Sequence, residues 1–201
     1  MQELGRPYPN SGYGESFYDW IYSDDPQPYH SFGNGAAMRV SAVGFAARSR
    51  NEVKTLSRAV TAISHDHPQG LKGAESVAMA IFLARQSKSK AEIRDYIEQN
   101  YYKIGFTLDE IRDAYEFNET CQNTVPPAFE AFFEAKDFED AIRNAVSVGG
   151  DSDTLAAITG SIAEAYFGIP FDLRKKAESY LENDTFRPIY TWLKRFEKMF
   201  P

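Results

Sequence analysis

Gly149-Gly150-Asp151-Ser152-Asp153-Thr154 is the stretch on which the fold turns, because it sets two carboxylates and a hydroxyl where one apolar helical pattern stops and another starts. Upstream, Phe138, Ala141, Ile142, Ala145 and Val146 recur at helical spacing, and the two glycines permit the left-handed backbone that ends a helix. Downstream, Leu155, Ile158 and Ile162 form an apolar stripe, while Ala156, Ala157, Gly160 and Ala163 leave a thin face for close packing. The pattern predicts a corner buried on both sides. Oxygen-only donors on a rigid corner suit Mg²⁺ or Ca²⁺ better than zinc, which would want His or Cys as well. Asp, Ser and Thr are also good N-caps, so the same residues can be read as nothing more than a helix start. Counted from Asp151, an EF-hand loop would need Gly at Ala156 and Glu at Ile162, which excludes it. A sugar-nucleotide transferase Asp-x-Asp should follow a strand, and this one follows a helical pattern.

Helical patterns extend outward from the corner. Three Ser/Thr-x-x-Glu capping boxes mark helix starts: Ser49 with Glu52, Ser89 with Glu92, and Thr107 with Glu110. Further apolar helical patterns run over Glu75–Ala84, Pro127–Phe133 and Leu173–Leu181, and no segment alternates as a strand does. Residues 1–38 are rich in Gly, Pro, Tyr, Asn and Asp, which predicts loops with one short helix around Ser16–Ile21. The expectation is one domain over 1–201, loop-rich over 1–38 and helical over 39–201. Its fold class is all-α, an orthogonal assembly of seven to nine helices.

A chain of 201 residues with 43% hydrophobic and 14% aromatic content can build a substantial core and does not ask for a second domain. The net charge of −7 argues against a broad surface for long nucleic acid. One cysteine, Cys121, cannot form an internal disulfide and has no Cys/His cluster near it in sequence, which reads as a structural residue in a reducing compartment. There is no charged-then-apolar leader and no run of 18 apolar residues, so the expectation is a cytoplasmic protein without a membrane partner.

Three connections between helical patterns carry the remaining chemistry. Ser31-Phe32-Gly33-Asn34-Gly35-Ala36-Ala37-Met38-Arg39 opens onto small residues and then a helix, and backbone amides left uncovered by side chains can approach a phosphate closely. An isolated Asn-Gly is equally an ordinary turn. Ser64-His65-Asp66-His67-Pro68 ends the helix that begins near Asn51. Its two histidines at i and i+2 lie on different helix faces, so one of them hydrogen-bonds a substrate hydroxyl or caps the helix rather than sharing zinc. Glu119-Thr120-Cys121-Gln122-Asn123-Thr124-Val125-Pro126-Pro127 is a polar loop that Pro126 or Pro127 turns into a helix at its first position.

In this order the motifs resemble the ADP-ribosylglycohydrolase family, over nearly the whole chain. The resemblance rests on Tyr13-Gly14 with Phe17 and Trp20, on Ser31 to Arg39, on Ser64 to Pro68 with Gly73-Ala74, on Thr124-Val125-Pro126, and on Gly149 to Thr154 running into Ala156-Ala157 and Gly160. It implies an all-α hydrolase that removes ADP-ribose from modified side chains using paired Mg²⁺ ions. It further implies that Asp151, Asp153 and Thr154 match metal ligands. Ser31, Gly33, Asn34, Gly35 and Met38 would bind ligand, the Gly33 to Gly35 loop wrapping the diphosphate, with His65 and His67 near the ribose and adenosine. No residue is assigned as the catalytic base.

Members ordinarily begin with a further helical stretch bearing Gly-Asp-x-x-Gly and Thr-Asp-Asp-Thr, which supplies the other metal ligands. Those motifs are not in these residues, and Ser23-Asp24-Asp25-Pro26 only superficially resembles the second. The expectation is therefore an N-terminally truncated member with one or two Mg²⁺ ions, the second doubtful. Its hydrolysis would be impaired, or would need a second subunit or partner chain over the missing region. The alternatives are a pseudoenzyme that binds ADP-ribose or a nucleotide without cleaving it, and an interaction or inhibitor module on the same scaffold.

Overall fold

The computed structural model describes residues 1–181 and 186–199; residues 182–185 and 200–201 of the expected helical span lie outside the described residues. Among the described residues there are thirteen helices and no strand: α1 (Gln2–Gly5), α2 (Glu15–Tyr22), α3 (Gly35–Met38), α4 (Ser41–Ala46), α5 (Arg50–Thr61), α6 (Pro68–Arg85), α7 (Lys90–Asn100), α8 (Leu108–Ile111), α9 (Cys121–Glu134), α10 (Phe138–Ser147), α11 (Ser152–Phe167), α12 (Phe171–Leu181) and α13 (Arg187–Met199). The chain is all-α. Nine of these helices have eight residues or more, and the four others, α1, α3, α4 and α8, have four to six, too few for periodicity to reveal.

The helices fall into two compact units, 30–168 and 1–29 with 169–201. In the first, α6 is the central element, buried over Ala74 and Val77–Ala84 and packed by α3, α4, α5, α7, α9 and α11. A helix that is apolar nearly all round can only sit inside a core. Close approach is fixed by a missing side chain: a Cβ on Gly44 of α4 would lie 2.5 Å from Ile81 Cβ of α6. In the second unit, the Gln2 and Arg6 side chains donate to the carbonyls of Trp20, Ile21 and Ser23, tying α1 to the C-terminal end of α2. Lys194 of α13 reaches Glu178 of α12 at 2.6 Å, joining the two helices, and Arg174 holds the same carboxylate from within α12 at 3.0 Å.

All three predicted capping boxes start helices. Ser89 and Thr107 accept from the amides of Glu92 and Glu110, whose carboxylates return to the cap amides. Ser49 accepts from Glu52 N, but the Glu52 carboxylate takes Arg48 N instead. The loop predicted over Glu119–Pro127 needs correction. Helix α9 begins at Cys121, so Pro126 and Pro127 lie inside it. Pro127 cannot donate to the Asn123 carbonyl, and the Tyr115 hydroxyl donates to that carbonyl instead, at 3.2 Å. Among the described residues no helix is long and apolar enough to cross a membrane.

Candidate functional site

The corner forms as its glycines predict: Gly149 and Gly150 have φ of +82° and +58°, and Asp151 is the N-cap residue of α11. Gly150 is required twice over, because a Cβ there would also lie 2.8 Å from Tyr115 Cε1. Gly160 brings α11 close to α10, with Ile142 Cδ1 2.8 Å from the position of a Cβ. The corner is buried on one side only. Asp151 and Thr154 are buried, whereas Asp153 is exposed, as is Val146 of the upstream apolar helical pattern, at 52%.

Asp151 does not use its side chain to cap α11. Its Oδ2 accepts from Asn34 Nδ2 at 2.6 Å. The same Asn34 amide donates to Thr124 Oγ1 at 3.1 Å and the Asn118 carbonyl at 3.3 Å, sharing its two hydrogens among three acceptors. Thr124 Oγ1 spends its own hydrogen on the Asn118 carbonyl, which leaves a lone pair for Asn34. Thus the glycine loop, the start of α9 and the acidic corner meet at one buried amide. The backbone reinforces this meeting: Asn34 N donates to the Glu119 carbonyl at 2.7 Å, and Cys121 N to the Phe32 carbonyl at 3.0 Å. The buried Cys121 thiol donates to the Gly33 carbonyl at 3.2 Å, and burial pushes its pKa up to about 12. It is structural, in agreement with the sequence reading.

On the other side of the loop, His65 is buried beside both glycines, its Nε2 lying 3.6 and 3.5 Å from where Cβ atoms on Gly33 and Gly35 would be. Burial, then the Arg39 guanidinium, lowers its pKa to about 4 against a smaller opposing pull from Asp66. The ring is therefore neutral at physiological pH. Arg39 donates to Ser64 Oγ at 2.6 Å and lies 3.4 Å from His65 Nδ1. His67 caps α6, its Nδ1 accepting from Gln69 N at 3.1 Å. Its ring contacts His30 and Phe32 at centroid distances of 4.8 and 5.2 Å, and Phe32 is 44% exposed. Ser31 Oγ accepts from Gly33 N at 3.1 Å, and Met38 Sδ accepts from Thr154 Oγ1 at 3.6 Å.

Every ligand residue read from the sequence thus surrounds the glycine loop, and the loop meets Asp151 and Thr154. The Asp24 and Asp25 side chains belong to the other unit and are exposed. Two residues of the site went unselected. Phe32 stood inside the quoted glycine motif, while Tyr115 sits in a segment with no motif at all. As a cation site the donor set is all oxygen, which fits Mg²⁺ in kind, and Thr154 spends its hydroxyl only on a weak sulfur acceptor. It is short in number. Among the described residues no three His, Cys, Asp or Glu side chains gather as a metal site.

The model of the ADP-ribosylglycohydrolase family matches residues 4–198, so the chain belongs to that family. The chain is 28% identical over 203 residues to ADP-ribosylhydrolase ARH3 of Homo sapiens, covering 77% of this chain and 56% of that protein. It is 32% identical over 153 residues to an uncharacterized protein of Archaeoglobus fulgidus, covering 68% of this chain and 50% of the relative. The chain therefore spans about half the length of these curated relatives. A solved structure described as an ADP-ribosylglycohydrolase-related protein complex shares the fold, with a TM-score of 0.63 at 22% identity over 89% of this chain and 68% of that one.

Proposed function

We propose that this chain binds ADP-ribosyl groups on the Gly33-Asn34-Gly35 loop and hydrolyses their glycosidic link with Mg²⁺ held by Asp151, Asp153 and Thr154. The observation that carries this reading is the 2.6 Å bond from Asn34 to Asp151, which unites the two motifs chemistry would need in one place. The Gly33 and Asn34 amides already donate to Ser31 Oγ and the Glu119 carbonyl, so a diphosphate on this loop would take the place of those acceptors or lie at the Gly35 end of the loop. Neutral His65 stands behind the loop without adding charge, and Arg39 lies beside it as the local cation. The exposed Phe32 face, backed by His67, offers a stacking surface for an adenine or ribose. Asp151 and Asp153 supply the negative charge that would hold Mg²⁺, and Thr154 a neutral oxygen. Bound there, Mg²⁺ would orient ribose hydroxyls and polarise a water for attack at the anomeric carbon.

Only two carboxylates stand at the corner, which favours a second reading: ADP-ribose binding with weak or no turnover. Oxygen donors from a partner chain or a second copy would raise that turnover. We also read 1–201 as one family domain, supported by the match over 4–198, and the compartment as cytoplasmic, supported by a single, unpaired cysteine. Release of ADP-ribose from ADP-ribosylated serine and arginine peptides, with Mg²⁺ or with EDTA, tests the enzyme reading. Mg²⁺-dependent release supports hydrolysis. Binding without release supports the second reading, and neither would leave an interaction module on the family scaffold.

A further inference from the structure

We propose that Met38 is a site of reversible oxidation, through which peroxide weakens ADP-ribose binding at the glycine loop. The inference rests on the ligand reading above. Of the four methionines, Met79 is fully buried, and Met1, Met38 and Met199 are 45, 46 and 71% exposed. Met38 stands apart because its sulfur takes the hydroxyl of a site residue, Thr154 Oγ1, at 3.6 Å. It closes α3, three residues after Gly35, so its side chain bridges the glycine loop to the first turn of α11. An accessible thioether at the joint of the two motifs is where oxidation would be felt.

The step is a two-electron oxidation. A lone pair of the Met38 sulfur attacks one oxygen of hydrogen peroxide, the O–O bond breaks as the S–O bond forms, and the departing hydroxide takes the remaining proton as water. A thiol-dependent sulfoxide reductase reverses it, two thiols becoming a disulfide and the oxygen leaving as water. The thioether is a weak acceptor, whereas the sulfoxide oxygen is a strong one carrying partial negative charge. It would hold the Thr154 hydroxyl firmly and present a negative oxygen beside the loop that a diphosphate must approach. Cys121 does not compete for oxidant, because it is fully buried and little of it is thiolate at neutral pH.

The test treats the full chain with hydrogen peroxide until peptide mass spectrometry shows Met38 oxidised, then titrates ADP-ribose. Met38→Leu, which keeps Met1, Met79 and Met199, is treated in parallel. Oxidised wild type should bind about fivefold more weakly or worse, with recovery on sulfoxide reductase treatment. Met38→Leu, whatever its own affinity, should not change on treatment. Unchanged affinity with Met38 oxidised overturns the proposal, as does an equal loss in Met38→Leu. If untreated wild type binds no ADP-ribose, the ligand reading fails separately, and the change at the Met38–Thr154 contact is read from melting temperature. Oxidation should then shift wild type and leave Thr154→Val unshifted, and equal shifts in both overturn it.

Discussion

Asn34 Nδ2 donates to Asp151 Oδ2 at 2.6 Å, joining residues 117 positions apart and holding a buried carboxylate in place. Removing the amide leaves that carboxylate without its donor and takes a donor from Thr124 Oγ1 as well. Asn34→Ala should lower stability by about 2 kcal/mol in urea unfolding. It should also weaken ADP-ribose in calorimetry. Asn34→Asp should be the less stable of the two variants, because it sets two carboxylates in contact, and Mg²⁺ should relieve part of that deficit in a thermal melt.

His65 makes stability depend on pH with a definite sign. Its pKa, lowered to about 4 by burial and Arg39, lies below the unfolded value of 6.5. The unfolded chain takes up the proton first as pH falls, so full stability is present above about pH 6.5 and is lost progressively toward pH 4. The loss by pH 4 is about 3 kcal/mol from this group. Unfolding of wild type and His65→Gln across pH 4–7 checks this. The variant should show the shallower slope.

Gly149 and Gly150 both have positive φ, but their surroundings differ. Nothing lies within 4 Å of a Cβ on Gly149, while a Cβ on Gly150 meets Tyr115 at 2.8 Å and the Glu116 carbonyl at 3.1 Å. Gly149→Ala should cost about 1 kcal/mol from backbone strain alone. Gly150→Ala should cost clearly more, and melting temperatures of the pair measure the difference.

The two aspartates of the corner should separate stability from cation dependence. Asp153 is exposed, so Asp153→Asn should change stability by no more than about 0.5 kcal/mol. Asp151→Asn should destabilise measurably, because it weakens the bond to Asn34. Both should reduce any dependence of ADP-ribose binding on Mg²⁺. Thermal melts with titrations at two Mg²⁺ concentrations check the pair.

Local signals were legible in the sequence and distant ones were not. Ser49, Ser89 and Thr107 start helices because a cap and its partner lie within four residues. The run from Ala74 to Ala84 reads as core because α6 is apolar on almost every side. Asp151 misled as a cap candidate, since its acceptor role is settled by Asn34 from the other end of the unit. Pro126 and Pro127 carried a start signal that tertiary structure overrides, with Tyr115 taking up the Asn123 carbonyl a proline leaves unpaired. The roles of Tyr115 and Phe32 depend on contacts across the fold, which no local pattern records. Family motifs pointed to the candidate site, whereas the burial of Asp151 and Thr154 and the exposure of Asp153 needed the structure.

Isothermal titration of ADP-ribose into the chain, with and without Mg²⁺, on wild type and on the double variant Asp151→Ala with Asp153→Ala, tests the central claim most directly. The account predicts binding that strengthens with Mg²⁺ in wild type, and a double variant in which Mg²⁺ makes no difference. Wild-type binding indifferent to Mg²⁺, or no binding in either condition, would contradict it.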